Sequence, residues 1–214
     1  MSRLAPSVRL ALIADVAFTG ADRIVALVEE ALPKECHGRI MVIERDKRPS
    51  DEQRDDERLR RLLSLRALTA NRGAYLIVNQ RVDLAQASQA DGVHLPENGL
   101  PTVTVRSLHP SLWIGRSCHD RDGLLKAQHE HVDWTFLSPI ARPLSKTTAL
   151  SSIGVQGFAE MSRSIEIPIY ALGGITDSLV EPLLKHGAAG VAVIGHVLGA
   201  EDPNLAVRKL LGDC

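Results

Sequence analysis

Several short stretches of the chain place reactive or charged side chains at the ends of apolar runs. "IGRSCHD" closes one such run with Ser117, Cys118 and His119. Alternation along an extended strand puts Ser117 and His119 on one side, with Arg116 and Cys118 on the other. Histidine titrates near neutrality, so His119 is a candidate for moving a proton, with Ser117 as a hydroxyl that orients a ligand. Opposite directions make Cys118 and His119 a poor metal pair, and Cys118 reads as a small packing residue. In "VIERDK" the same alternation sets Arg45 and Lys47 on one side, a spacing that suits a carboxylate or phosphate. A surface ion pair with Glu44 or Asp46 is the alternative reading. "ALGGIT" and "VAVIG" contribute Gly173, Gly174 and Gly195. Backbone N–H groups there can approach an anion closely, although each glycine alone would also serve a tight turn. Lys146, between Ser145 and Thr147 in a polar loop, is either a ligand contact or a solvated charge. His94 reads as a satisfied core residue, and His109, His129, His131 and His186 as surface residues.

The elements that must position these groups follow from hydrophobic periodicity. Apolar, β-branched runs predict strands over 8–16, 39–47, 75–80, 92–96, 112–118, 134–140, 168–174 and 190–195. Amphipathic stretches predict helices over 21–32, 82–90, 123–131, 153–164, 177–186 and 204–211. A further charged helix carries Leu59, Leu62, Leu63 and Ala67 as its apolar stripe. Strand and helix alternate in eight units, which predicts a (β/α)8 TIM barrel spanning residues 1–214 as one domain. The doubly wound open sheet shares this alternation, but no glycine fingerprint follows the first strand. In a barrel, the candidate residues all fall at the C-terminal strand ends, where this fold does its chemistry.

Composition narrows the partners. A net charge of −1 and an aromatic content of 3% leave neither an electrostatic footprint nor a stacking surface for nucleic acid. No apolar stretch reaches bilayer-spanning length, so no membrane partner is expected. Cysteines at 36, 118 and 214 form no disulfide framework or metal spacing, which predicts a cytoplasmic protein with no structural metal. A homodimer is left open.

Six segments, taken in order, resemble the thiamine phosphate synthase/TenI family over nearly the whole chain. They are "VIERDK", "NQRVDLAQASQADGVHLPENGLP", "IGRSCHD", "LSPIARPLSK", "IPIYALGGI" and "AAGVAVIG". The resemblance implies the barrel fold and a small phosphorylated heterocycle of the thiazole phosphate class as ligand. It also implies that Asn79 joins Arg45, Lys47, Lys146, Gly173, Gly174 and Gly195 as a binding residue. The chain departs from the synthase pattern where Gln80 and Gly99 stand for two aspartates associated with Mg²⁺, and where Ile43 stands for a glutamine. Pro143, Leu144 and Gly195 replace hydroxyl residues. These departures favour the TenI branch, a thiazole tautomerase needing no cofactor, with His119 transferring the proton and Ser117 orienting the ring. The alternatives are a thiamine phosphate synthase, which would use Mg²⁺ with Glu97 as the nearest spare carboxylate, and a silent thiazole-phosphate-binding paralogue.

Overall fold

The computed structural model describes residues 7–49, 52–142 and 151–213. The described elements run β1 (Leu10–Asp15), α1 (Val16–Thr19), α2 (Ile24–Ala31), β2 (Ile40–Arg45), α3 (Asp55–Arg72), β3 (Tyr75–Asn79), α4 (Val82–Ala87), β4 (Gly92–Leu95) and α5 (Thr102–Leu108). They continue with β5 (Trp113–Cys118), α6 (Arg121–His129), β6 (Trp134–Leu137), α7 (Gly154–Ser162), β7 (Ile169–Leu172), α8 (Asp177–Lys185), β8 (Gly190–Val193), α9 (Gly195–Leu198) and α10 (Pro203–Leu211). The strands are parallel and close in sequence order, with β8 returning to β1 through Leu10–Val191, Ala11–Ala192 and Leu12–Val193. The fold is therefore a (β/α)8 TIM barrel.

Both faces of each strand are covered, so the strands read as near-continuous apolar runs. Their residues divide by parity. Leu10, Leu12, Ile40 and Val42 pack outward into the helix layer. Ala11, Ile13, Met41 and Ile43 pack inward, in a barrel centre filled by Trp134, Phe136 and Tyr170. Trp134 fits because its partner in register on β5 is Gly115. A Cβ on Gly115 would lie 2.1 Å from the indole.

Two stretches differ from the expectations. Helix α5 and the short helices α1 and α9 were not anticipated, being brief and weakly amphipathic. On α3 the buried stripe is Arg58, Arg61, Leu62, Leu65 and Thr69. Leu63, expected on that stripe, is 48% exposed. Two arginines face inward because Glu44 on β2 and Asp46 just beyond it are buried opposite them, a pairing that helical periodicity does not reveal.

Candidate functional site

Strand parity carries Arg45, Asn79, His94, Ser117 and His119 to the C-terminal mouth of the barrel. Together with Lys47, they line one cavity of about 300 Å³ whose walls include Ile13, Ile43, Phe136 and Leu172. Gly173, Gly174 and Gly195 line a second cavity of about 430 Å³ with Arg142 and Thr176. The two adjoin, sharing Leu172, Gly173 and Ile194. Lys146 lies outside the described residues. A larger cavity of about 470 Å³ opens at the opposite end of the barrel, beside Tyr170 and His186. It lies at the N-terminal strand ends, which in this fold serve stability rather than chemistry.

Arg45 is tied to the wall of its cavity. Its register partner on β1 is Asp15, and the guanidinium hydrogen-bonds to that carboxylate. Asp15 also caps α1, accepting from the Ala17 N–H at 3.1 Å. The alternative pairing of Arg45 with Glu44 or Asp46 does not form, because those carboxylates lie on the far side of the strand.

His94 differs from its expected role. It is buried, but Nε2 lies 2.9 Å from Ser117 Oγ and Nδ1 has no hydrogen-bond partner among the described residues. Burial, aided by the positive charges of Arg116, Arg45 and Lys47, pulls its pKa down to about 3. The ring is therefore neutral at physiological pH, and it couples Ser117 to the cavity wall without adding charge. A histidine at a strand end beside a serine one strand over was the available signal. It was missed because pairing across strands requires the register.

His119 lies half-buried at the rim, with Nδ1 2.7 Å from the Ser138 carbonyl oxygen. A carbonyl only accepts, so Nδ1 carries a hydrogen and Nε2 is the ring nitrogen left to meet a ligand. Cys118 is buried in the helix layer, pointing away from His119. Burial pushes its thiol up to about 12, so it has no thiolate character near neutrality. Arg116, on the same side as Cys118, donates to the carbonyls of Glu97 at 3.0 Å and Leu100 at 2.8 Å. That clamp holds the loop carrying Glu97 against the mouth.

The glycines have distinct reasons to be glycine. Gly173 and Gly174 have φ of 98° and 63°, left-handed values that L side chains rarely adopt. A Cβ on Gly174 would sit 2.7 Å from the Ala141 carbonyl carbon. Gly195 has open space apart from the ring of Phe18, so only its bareness toward the cavity favours glycine.

Among the described residues, no three His, Cys, Asp or Glu side chains cluster as a ready-made metal site. Glu97, Asn79 and Gln80 nevertheless line the cavity that holds Arg45 and Lys47. One carboxylate with neutral oxygens fits Mg²⁺, which keeps waters and takes other ligands from substrate phosphates.

The model of the thiamine monophosphate synthase family matches residues 10–197. A thiamine-phosphate synthase of Chloroflexus aurantiacus is 33% identical over 202 residues, covering 94% of this chain and 90% of that protein. A putative thiamine-phosphate synthase of Geobacter sulfurreducens is 40% identical over 149 residues, 69% of this chain and 70% of its own. The solved thiamine phosphate pyrophosphorylase of Pyrococcus furiosus superposes with a TM-score of 0.81 at 28% identity, covering 97% of this chain and 96% of that one. These likenesses overturn the expectation of a thiazole tautomerase, and with it an isomerase with His119 as proton carrier. That expectation gave too much weight to the carboxylates missing at Gln80 and Gly99. When a diphosphate supplies oxygens to the cation, fewer protein carboxylates are needed.

Proposed function

The chain belongs to the thiamine monophosphate synthase family, and from that premise we propose that it couples a pyrimidine diphosphate to a thiazole phosphate with release of diphosphate. The observation that carries this reading is the pair of adjoining cavities, one cationic and one lined by bare backbone, sharing Leu172, Gly173 and Ile194. Two anionic substrates need two anion sites close enough for their rings to meet.

Arg45 and Lys47 would hold the diphosphate, whose negative charge grows as it separates from the pyrimidine. Fixed cations aimed at developing charge stabilise a transition state more than its ground state. The thiazole phosphate would rest against the N–H groups around Gly173, Gly174 and Gly195, with Lys146 as an added cation. Glu97, Asn79 and Gln80 would hold Mg²⁺, which supplies charge neutralisation to the diphosphate when bound. Ile13, Ile43, Phe136 and Leu172 keep water from the reacting centre and strengthen these electrostatic contacts.

The polar groups of the deep wall become orienting groups. Ser117, held by neutral His94, offers a hydroxyl to the edge of a heterocycle. His119 offers Nε2 from the rim. Coupling requires no proton shuttle from either residue, so both act in ligand positioning.

The test is an assay of purified protein with both substrates, with and without Mg²⁺, following diphosphate release. Release that requires both substrates is expected. No release with both substrates and Mg²⁺ present would overturn the reading.

A further inference from the structure

Outside the barrel wall, beneath α3, lies a group of buried charges in an otherwise apolar layer. Glu44 continues the outward parity of Ile40 and Val42 and is fully buried, while Arg58 and Arg61 are 3% and 7% exposed. Arg58 donates from Nε and Nη2 to the Glu44 carboxylate, at 2.8 Å for the shortest contact. Its Nη2 also donates to the Asn79 carbonyl oxygen at 3.0 Å. Arg61 Nη2 bridges Glu44 at 2.7 Å and Asp46 at 2.9 Å. Arg48 completes the group from the loop, donating to both Asp46 oxygens at 3.0 and 2.8 Å. Burial pushes the Asp46 carboxyl up, but hydrogen bonds from Arg48 and the charges of Arg48 and Arg61 outweigh it and hold it below the usual range.

Buried ion clusters are weak sources of stability, because desolvation offsets most of their attraction and apolar packing often does as well. What this cluster adds is placement. Its members sit back to back with the cationic cavity: Glu44 and Asp46 alternate with Arg45 and Lys47, and Arg58 grips the backbone of Asn79. Resting on the synthase reading for the identity of the anion, we propose that Arg58 and Arg61 are positioning residues for diphosphate. They fix the ends of β2 and β3 from behind. They also neutralise two carboxylates that would otherwise weaken the pull of Arg45 and Lys47. Neither arginine reaches the cavity, so the effect is transmitted through strand position and field.

Inorganic diphosphate and inorganic phosphate, titrated by calorimetry into the full-length protein at fixed Mg²⁺, separate the two anion sites. Arg61→Met should weaken diphosphate binding about ten-fold, the low end for an outer partner of a polar site, and phosphate binding by less than about two-fold. Arg61→Lys should recover most of the loss. Parallel losses for both anions would mean general loosening and would overturn the proposal, as would unchanged diphosphate binding in a folded variant. If Arg61→Met fails to fold, the half-buried Arg48→Gln carries the same comparison, with a selective loss of diphosphate supporting it and a parallel or absent loss overturning it. Parent protein that binds diphosphate but couples nothing would sink the synthase reading alone. Parent protein that couples, with diphosphate binding unchanged in Arg61→Met, would sink the positioning role alone.

Discussion

At the β2–β3 edge of the mouth, the groups proposed to meet an anion are side chains, Arg45 and Lys47, backed by buried counter-charges. Across the barrel, after β7 and β8, they are bare backbone at Gly173, Gly174 and Gly195. The first edge depends on charge and is sensitive to everything that tilts a strand or changes the field. The second depends on shape, since glycine is required where φ is positive or where a Cβ would strike a neighbouring carbonyl. One barrel thus presents two proposed anion sites that should fail in different ways.

Gly174→Val and Arg45→Met should produce the two largest effects, similar in size. The left-handed backbone at Gly174 and the contact with Ala141 would cost about 1–3 kcal/mol of strain, which translates to roughly 5- to 150-fold in affinity if the loop yields. Phosphate binding, measured by calorimetry, should fall by that amount while diphosphate binding holds. Equal losses would merge the two edges into one site.

Arg45→Met tests the opposite edge. A lost charged hydrogen bond contributes about 1.5–3 kcal/mol, so diphosphate should bind roughly 10- to 100-fold more weakly, with phosphate little changed. The variant also leaves buried Asp15 without its partner, so its melting temperature should drop. A selective loss of phosphate instead would reverse the assignment of the two cavities.

Much of this contrast was legible in the chain, though unevenly. Strand parity placed Arg45, Ser117 and His119 at the mouth, because a two-residue period needs no tertiary information. The barrel followed from eightfold alternation. The charge cluster behind β2 was not legible: Arg58 and Arg61 look like the solvent face of α3 until Glu44 is known to lie opposite. The role of His94 was hidden for the same reason, since its partner Ser117 is 23 residues away and one strand over. The choice of reaction was misread because missing carboxylates were counted without counting the oxygens a substrate brings.

Gly115→Ala should act on neither edge. The new methyl would meet the Trp134 indole, and overpacking of this kind costs about 1–3 kcal/mol. Chemical denaturation should show that loss with the ratio of diphosphate to phosphate affinity preserved. A changed ratio would mean that the barrel centre couples the two edges.

The last expected effect is a pH dependence. His94 titrates near 6.5 when unfolded and is pulled down to about 3 by burial in the folded state, so between those values the unfolded chain binds more protons. Stability should therefore decline as pH falls below about 6.5, and His94→Gln should flatten that slope in thermal melts. An unchanged slope would mean that other groups control acid sensitivity.

Trp134, Phe136 and Tyr170 are almost wholly buried in the barrel centre. A solid plug there turns the mouth into a well with one entrance, and traffic through it acquires a sequence. A ring seated against Phe136 must arrive before whatever lies above it and can depart only after that has gone. Two-substrate kinetics in such a well should be ordered rather than random, with the shallower product the first to leave.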